Sequence, residues 1–172
     1  MIQETKFSPC RKYRYTLWRE WQPEFRFASI TEDPDATKDG FVMFIGLNPS
    51  TADEIQDDPT IRRCVDFAKS WGYTSMCMTN LFAYRATMPE EMKLQIEPIG
   101  AENDGTVKRL AREACLIVAA WGTHGKHMDR QERVKHWFAS QNIQMHHLGL
   151  NSDGTPKHPL YLRKTTEPLT WN

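Results

Sequence analysis

The chain lacks net charge: 22 lysines and arginines stand against 22 aspartates and glutamates. No global field draws it to nucleic acid or to a membrane, so any nucleic-acid binding has to come from a local patch. It also lacks long apolar runs. Nothing approaches the roughly 18 apolar residues of a membrane span, and the start, MIQETKFSPCRKYRY, has no apolar signal region. The expected location is cytoplasmic, with no membrane partner. Cysteines are few and scattered: Cys10, Cys64, Cys77 and Cys115 form no C-x-x-C pair. Structural zinc and iron–sulfur clusters are therefore not expected, and buried free thiols in a reducing compartment are. There is no P-loop, no dinucleotide fingerprint and no G-x-S-x-G elbow, which counts against nucleotide kinases, nicotinamide enzymes and α/β-hydrolases. Repeats and low-complexity segments are absent as well.

What remains is an ordinary globular composition, 40% hydrophobic and 26% charged in 172 residues. That is one domain, long enough to bury roughly 70% of its unfolded surface. Its most informative stretch is FVMFIGLNPS, Phe41 to Ser50. Phe41 to Ile45 has neither helical spacing nor alternation, so it reads as a strand buried on both faces. Such a strand needs helices above and below, and its carboxyl end opens onto the crevice where α/β proteins bind ligands. Gly46, Asn48 and Pro49 then present a polar side chain on a tight turn at that mouth. The alternative is a plain turn, since Asn-Pro is common turn chemistry.

The pattern repeats along the chain. Aromatic, partly alternating residues 13–21 suggest an edge strand or a small N-terminal hairpin, and 31–40 a polar loop. Asp58 is a good N-cap with Pro59 at the first helical position, and Ile61, Cys64, Val65 and Ala68 recur at helical spacing up to Gly72. Residues 73–81 form a second strand ending at Asn80. A short helix is expected near 89–95, and another carrying Val107, Leu110, Ala111 and Ala114, capped near Asn103 or Asp104. CLIVAAW, Cys115 to Trp121, reads as a third buried strand. Val134, Trp137 and Phe138 mark a helix, and Ile143 to Leu148 a fourth strand. Strand then helix, four times over, predicts an α/β three-layer sandwich. Its centre would be a mainly parallel four-stranded sheet. A single domain, 1–172, would consist of an N-terminal extension, 1–40, and a core, 41–172. The loops after Leu47, Asn80, Trp121 and Leu148 would then gather at one edge and bring Asn48, Asn80, His124 and His158 to one crevice.

Each candidate has an alternative. Asn48, an amide with no useful pKa, can orient a water or read a base edge, or it is a turn residue. Asp53, Glu54, Asp57 and Asp58 can hold Mg²⁺ or supply a general base, or they cap a helix on a solvated loop. Asp53 is the nearest candidate base. Asn80 ends an apolar strand, where a polar side chain needs a specific partner. Arg85 can meet a phosphate or a surface carboxylate. His158 can stabilise an anion on a leaving group, and Lys157, Arg163 and Lys164 beside it suit a nucleic-acid strand. His124 and His127 have no metal-ligand spacing, so no metal and no cofactor are expected.

These segments resemble the uracil-DNA glycosylase superfamily. Gly46-Leu47-Asn48-Pro49-Ser50 is similar to the G-I-N-P-G motif of the mismatch-specific uracil/thymine-DNA glycosylases. The stretch from Thr79 to Arg85 is similar to the T-N-V-V-K-C-R-P segment of the iron–sulfur branch, with Tyr84 where that branch has a cysteine. Ala120 to Gly125 is similar to L-W-G-x-x-A, and His158 to Arg163 to H-P-A/S-x-L-x-R. Over its whole length the chain also looks like the bacterial and phage family DUF1643. The superfamily resemblance implies a DNA partner, a monomer, and hydrolysis of the N-glycosidic bond of a flipped uracil or modified pyrimidine. Asn80 would read the base, with Phe82 or Tyr84 stacking on it and Gly46, Pro49 and Ser50 shaping the pocket. His158 would meet the base oxygen and Asn48 the attacking water. Arg85, His124, Lys157, Arg163, Lys164 and the helix start at Pro59 would meet DNA. A binding module without chemistry, and a Mg²⁺-dependent hydrolase built on Asp53, Asp57 and Asp58, are the competing classes.

Overall fold

Residues 41–46 are buried without a break, and their side chains divide between two cores. In the computed structural model, which describes residues 1–21, 38–50 and 55–172, they belong to β3 (Lys38–Gly46). Phe41, Met43 and Ile45 enter one hydrophobic cluster, and Val42 and Phe44 enter the other. Burying Val42, Met43, Phe44 and Ile45 is worth roughly 6–12 kcal/mol together, as an upper bound. This strand sits at the middle of a seven-stranded sheet of order β1-β2-β4-β3-β5-β6-β7. The others are β1 (Ile2–Phe7), β2 (Arg14–Glu20), β4 (Tyr73–Asn80), β5 (Leu116–Ala119), β6 (Met145–His147) and β7 (Leu169–Trp171).

The sheet is mixed and larger than the four strands read from the sequence. β4, β3, β5 and β6 run parallel, while β1, β2 and β7 attach antiparallel at the two flanks. Not all strands therefore point the same way. β1 and β7 escaped the sequence reading for a physical reason. IQETKF is a polar, largely exposed edge strand, and LTW is three residues long with little burial.

Helix α1 (Pro59–Ser70) packs Ile61, Cys64, Val65, Phe67 and Ala68 on the Val42–Phe44 face. Helices α2 (Pro89–Lys93), α3 (Asn103–Glu113) and α4 (Arg130–Ser140) serve the opposite face, with Met92, Val107, Leu110, Val134 and Phe138 in the other cluster. The chain leaves β3 through α1 to β4 on one side, and leaves β5 through α4 to β6 on the other. Adjacent strands whose connections diverge in this way open a crevice beyond their carboxyl ends. Asp58 caps α1 as expected, accepting the Ile61 N–H at 2.8 Å. Asn103 caps nothing and is completely buried. None of the four cysteines is in a disulfide. Cys64 and Cys77 are buried as expected, but Cys10, in the turn between β1 and β2, and Cys115, one residue before β5, are exposed.

Candidate functional site

Beyond the ends of β3 and β5 lies a cavity of about 630 Å³, and the segments expected to meet do meet there. Gly46, Asn48, Ser50, Asn80, His124, Lys157 and His158 all line it. The segment Ala120 to Thr123 forms a wall between them.

Asn80 is the buried end of β4, only 3% exposed. Its parallel partner across the sheet is Gly46. A Cβ at Gly46 would fall 2.8 Å from Asn80 Oδ1, so glycine there makes room for the amide. Asn80 Nδ2 is buried and has no hydrogen-bond partner. An orphaned donor costs about 1–3 kcal/mol, a cost that a ligand acceptor would remove.

Asn48 is fixed differently. Its Nδ2 donates to the Ala86 carbonyl at 2.9 Å and to the Pro49 carbonyl at 3.1 Å. Both amide hydrogens are spent on the backbone, and Oδ1 remains as the acceptor. Pro49 is buried, and its carbonyl also takes the Ala86 N–H. It therefore shapes the turn without lining the cavity. Ser50 Oγ donates to Asp58 Oδ2 at 2.6 Å.

His158 opens a short 3₁₀ turn, Pro159–Tyr161, and its Nδ1 accepts the Leu160 N–H at 3.3 Å. That bond places the proton of the neutral ring on Nε2. Burial holds the His158 pKa below the ordinary histidine value, with Asp58 pulling the other way, so the neutral ring dominates at pH 7. Across the cavity, Lys93 Nζ lies 2.8 Å from His124 Nδ1.

Other expected residues lie elsewhere. Phe82 is fully buried in the core and packs on His127, and Tyr84 meets Tyr13 edge-on, so neither stacks in the cavity. The aromatics that line it are Trp121 and Tyr161. Arg85 turns to the hairpin, donating to the Arg11 carbonyl and covering the Phe7 ring. Arg163 and Lys164 are exposed and outside the lining. At the start of α1, Pro59 lacks an N–H and the Asp58 carboxylate takes the Ile61 N–H, so two of the donors a phosphate would use are not on offer. Asp57 pairs with buried Arg19 at 2.6 Å, so it does not join Asp58 at the cavity. Asp53 lies outside the described residues. Among the described residues no cluster of three metal-ligating side chains exists, and no helix is long and apolar enough to cross a membrane.

Sequence reasoning missed Arg14. It comes from β2, is 2% exposed and lines the cavity. Burial lowers its pKa to about 10, with Asp58 opposing that, so it stays a cation at neutral pH. An arginine inside an aromatic strand was the available signal.

A family model described as a protein of unknown function (DUF1643) matches residues 14–160. The chain belongs to the DUF1643 family. The match takes in Arg14, Asn48, Asn80 and His158, four polar side chains that line this DUF1643 cavity. No curated protein and no solved structure matches the chain.

Proposed function

We propose that this DUF1643 protein is a DNA glycosylase-like enzyme on a uracil-DNA glycosylase-like three-layer fold. Its substrate would be a uracil or modified pyrimidine extruded from DNA. The observation that carries the reading is the unpartnered Asn80 amide in the cavity. It asks for an acceptor, which a pyrimidine carbonyl supplies.

The chemistry follows from the three fixed groups. Asn80 Nδ2–H donates to one carbonyl oxygen of the base. The neutral His158 donates Nε2–H to another as negative charge builds there. The bond from the anomeric carbon to the base nitrogen breaks, and its electron pair stays on the base. A water accepted by Asn48 Oδ1 then bonds to the anomeric carbon, and its proton leaves to solvent. An amide cannot take that proton, so the route relies on bond breaking running ahead of water attack.

A mass-spectrometric screen for free bases, using DNAs that carry uracil or modified pyrimidines, tests the reading. Asn48→Ala and His158→Ala should each lower release by about 10²–10³-fold at a temperature where the variant remains folded. Release of no base from any such DNA by the wild type would refute hydrolysis. One observation favours a second reading, a binding module without chemistry. Among the described residues the one carboxylate lining the cavity is Asp58, and its oxygens already accept from Ser50 Oγ and the Ile61 N–H. Binding of the same DNAs without release is its outcome.

A further inference from the structure

Asn103 has the local sequence of a helix cap and does something else. It is completely buried at the start of α3, on the side of the sheet away from α1. Its Nδ2 donates to the Asn80 carbonyl at 2.9 Å and to the Leu81 carbonyl at 3.1 Å. Its Oδ1 is left buried with no partner. An apolar residue of similar size would withdraw both donors from these carbonyls, so the side chain is held here by the strand end it serves, at the cost of its own unsatisfied oxygen. Arg130, also buried, adds a third donor, with Nε on the Leu81 carbonyl at 2.9 Å. Its guanidinium is anchored by Asp104, the neighbour of Asn103.

The clamp acts where β4 leaves the sheet. The Leu81 N–H still reaches the Gly46 carbonyl at 2.9 Å, but the carbonyls of Asn80 and Leu81 turn toward α3 and α4. Three donors therefore hold the two peptide units that follow the Asn80 Cα, the first of them directly attached to it. Its side chain projects from the same backbone, pressed between Gly46 and the cavity.

We propose that Asn103, seconded by Arg130, is a positioning residue for the cavity. It sets the direction of the Asn80 amide through the Asn80 and Leu81 carbonyls and touches no ligand itself. The consequence for base recognition rests on the function proposed above, but the positioning does not. It is read without any substrate, from the side-chain amide signals of Asn80 in ¹⁵N-labelled protein, assigned by their loss in Asn80→Asp. Asn103→Ala should shift or broaden those signals. Val107→Ala, one turn along the same buried face of α3, removes core volume but no donor and should leave them in place. Asn103→Ser keeps one donor and should give an intermediate shift, and it serves as the test if the alanine variant does not fold. Unchanged Asn80 signals in the Asn103 variants, or equal changes in Val107→Ala, would overturn the proposal. Where the wild type releases uracil, Asn103→Ala should also lose about tenfold or more in kcat/KM, and Val107→Ala should not. A wild type that releases no base removes the enzymatic reading and leaves the amide test standing.

Discussion

Gly46→Ala is the sharpest perturbation the site offers. The new methyl would lie 2.8 Å from Asn80 Oδ1 and 3.5 Å from Met78 Sδ. Ordinary contact begins near 3.4 Å, so the Asn80 amide has to retreat by about 0.6 Å. It cannot retreat freely, because its carbonyl is held by Asn103 and the next N–H by Gly46 itself. Overpacking of this kind costs about 1–3 kcal/mol, and the stiffer unfolded chain returns about 0.4–1 kcal/mol. A net loss near 1–2 kcal/mol should lower Tm by about 2–8 °C in a chain of this length. The functional loss should be larger. A displacement approaching 1 Å costs up to about 10²-fold, so kcat/KM for base release should fall by about 10–100-fold at a temperature where the variant is fully folded. Gly105→Ala is the matched control. A Cβ there meets nothing within 4 Å, and in the helix it should raise stability by about 0.5–1 kcal/mol with no change in release. Release at the wild-type rate by a folded Gly46→Ala protein would refute the argument that Asn80 reads the base through this contact.

Gly125→Ala should be more damaging to the fold. Its Cβ would fall 2.2 Å from Trp121 Cδ1, while the Trp121 ring is tied to Gln131 Oε1 at 2.8 Å. A loss at or above about 3 kcal/mol, with altered tryptophan fluorescence, is expected in denaturant melts. Asp58→Ala removes the α1 cap and the Ser50 partner, so about 1–2 kcal/mol should be lost by the same measurement. It should also lower the His158 pKa further, seen by NMR titration, since Asp58 is the group that raises it. Stability should fall on acidification below about pH 6.5. His127, His147 and His158 all have lowered folded-state pKa values, burial being the first cause in each. In the window between the unfolded and folded values the unfolded chain binds the extra protons, so stability present above that window is lost as pH falls through it. Tm measured from pH 8 to pH 5 checks the sign.

The sequence was legible where burial and chemistry pulled in opposite directions. An amide at the end of an apolar strand, as at Asn80, or after one, as at Asn48, needs a reason, and both residues reach the cavity. Helix α1 was legible because its cap, its proline and its apolar spacing agree. Where local signals were weak or misleading, the reading failed. β1 has the composition of a loop because an edge strand exposes its side chains. Phe82 and Tyr84 follow Asn80 closely, yet the chain has already turned into the core by then, and neither faces the ligand space.

Asn103 is the instructive case. Asn-Asp-Gly before a helical pattern signals a cap, and a cap is a local device that sequence can display. What Asn103 does depends on two carbonyls more than twenty residues away, at a strand end whose partners have left it. Nothing local encodes that, because the demand arises only when β4 and α3 are packed. Asn48 and Asn80, which touch the cavity, were therefore easier to find than the residue that aims one of them. The first are polar residues at the ends of apolar strands, and the second is a polar residue in an ordinary place.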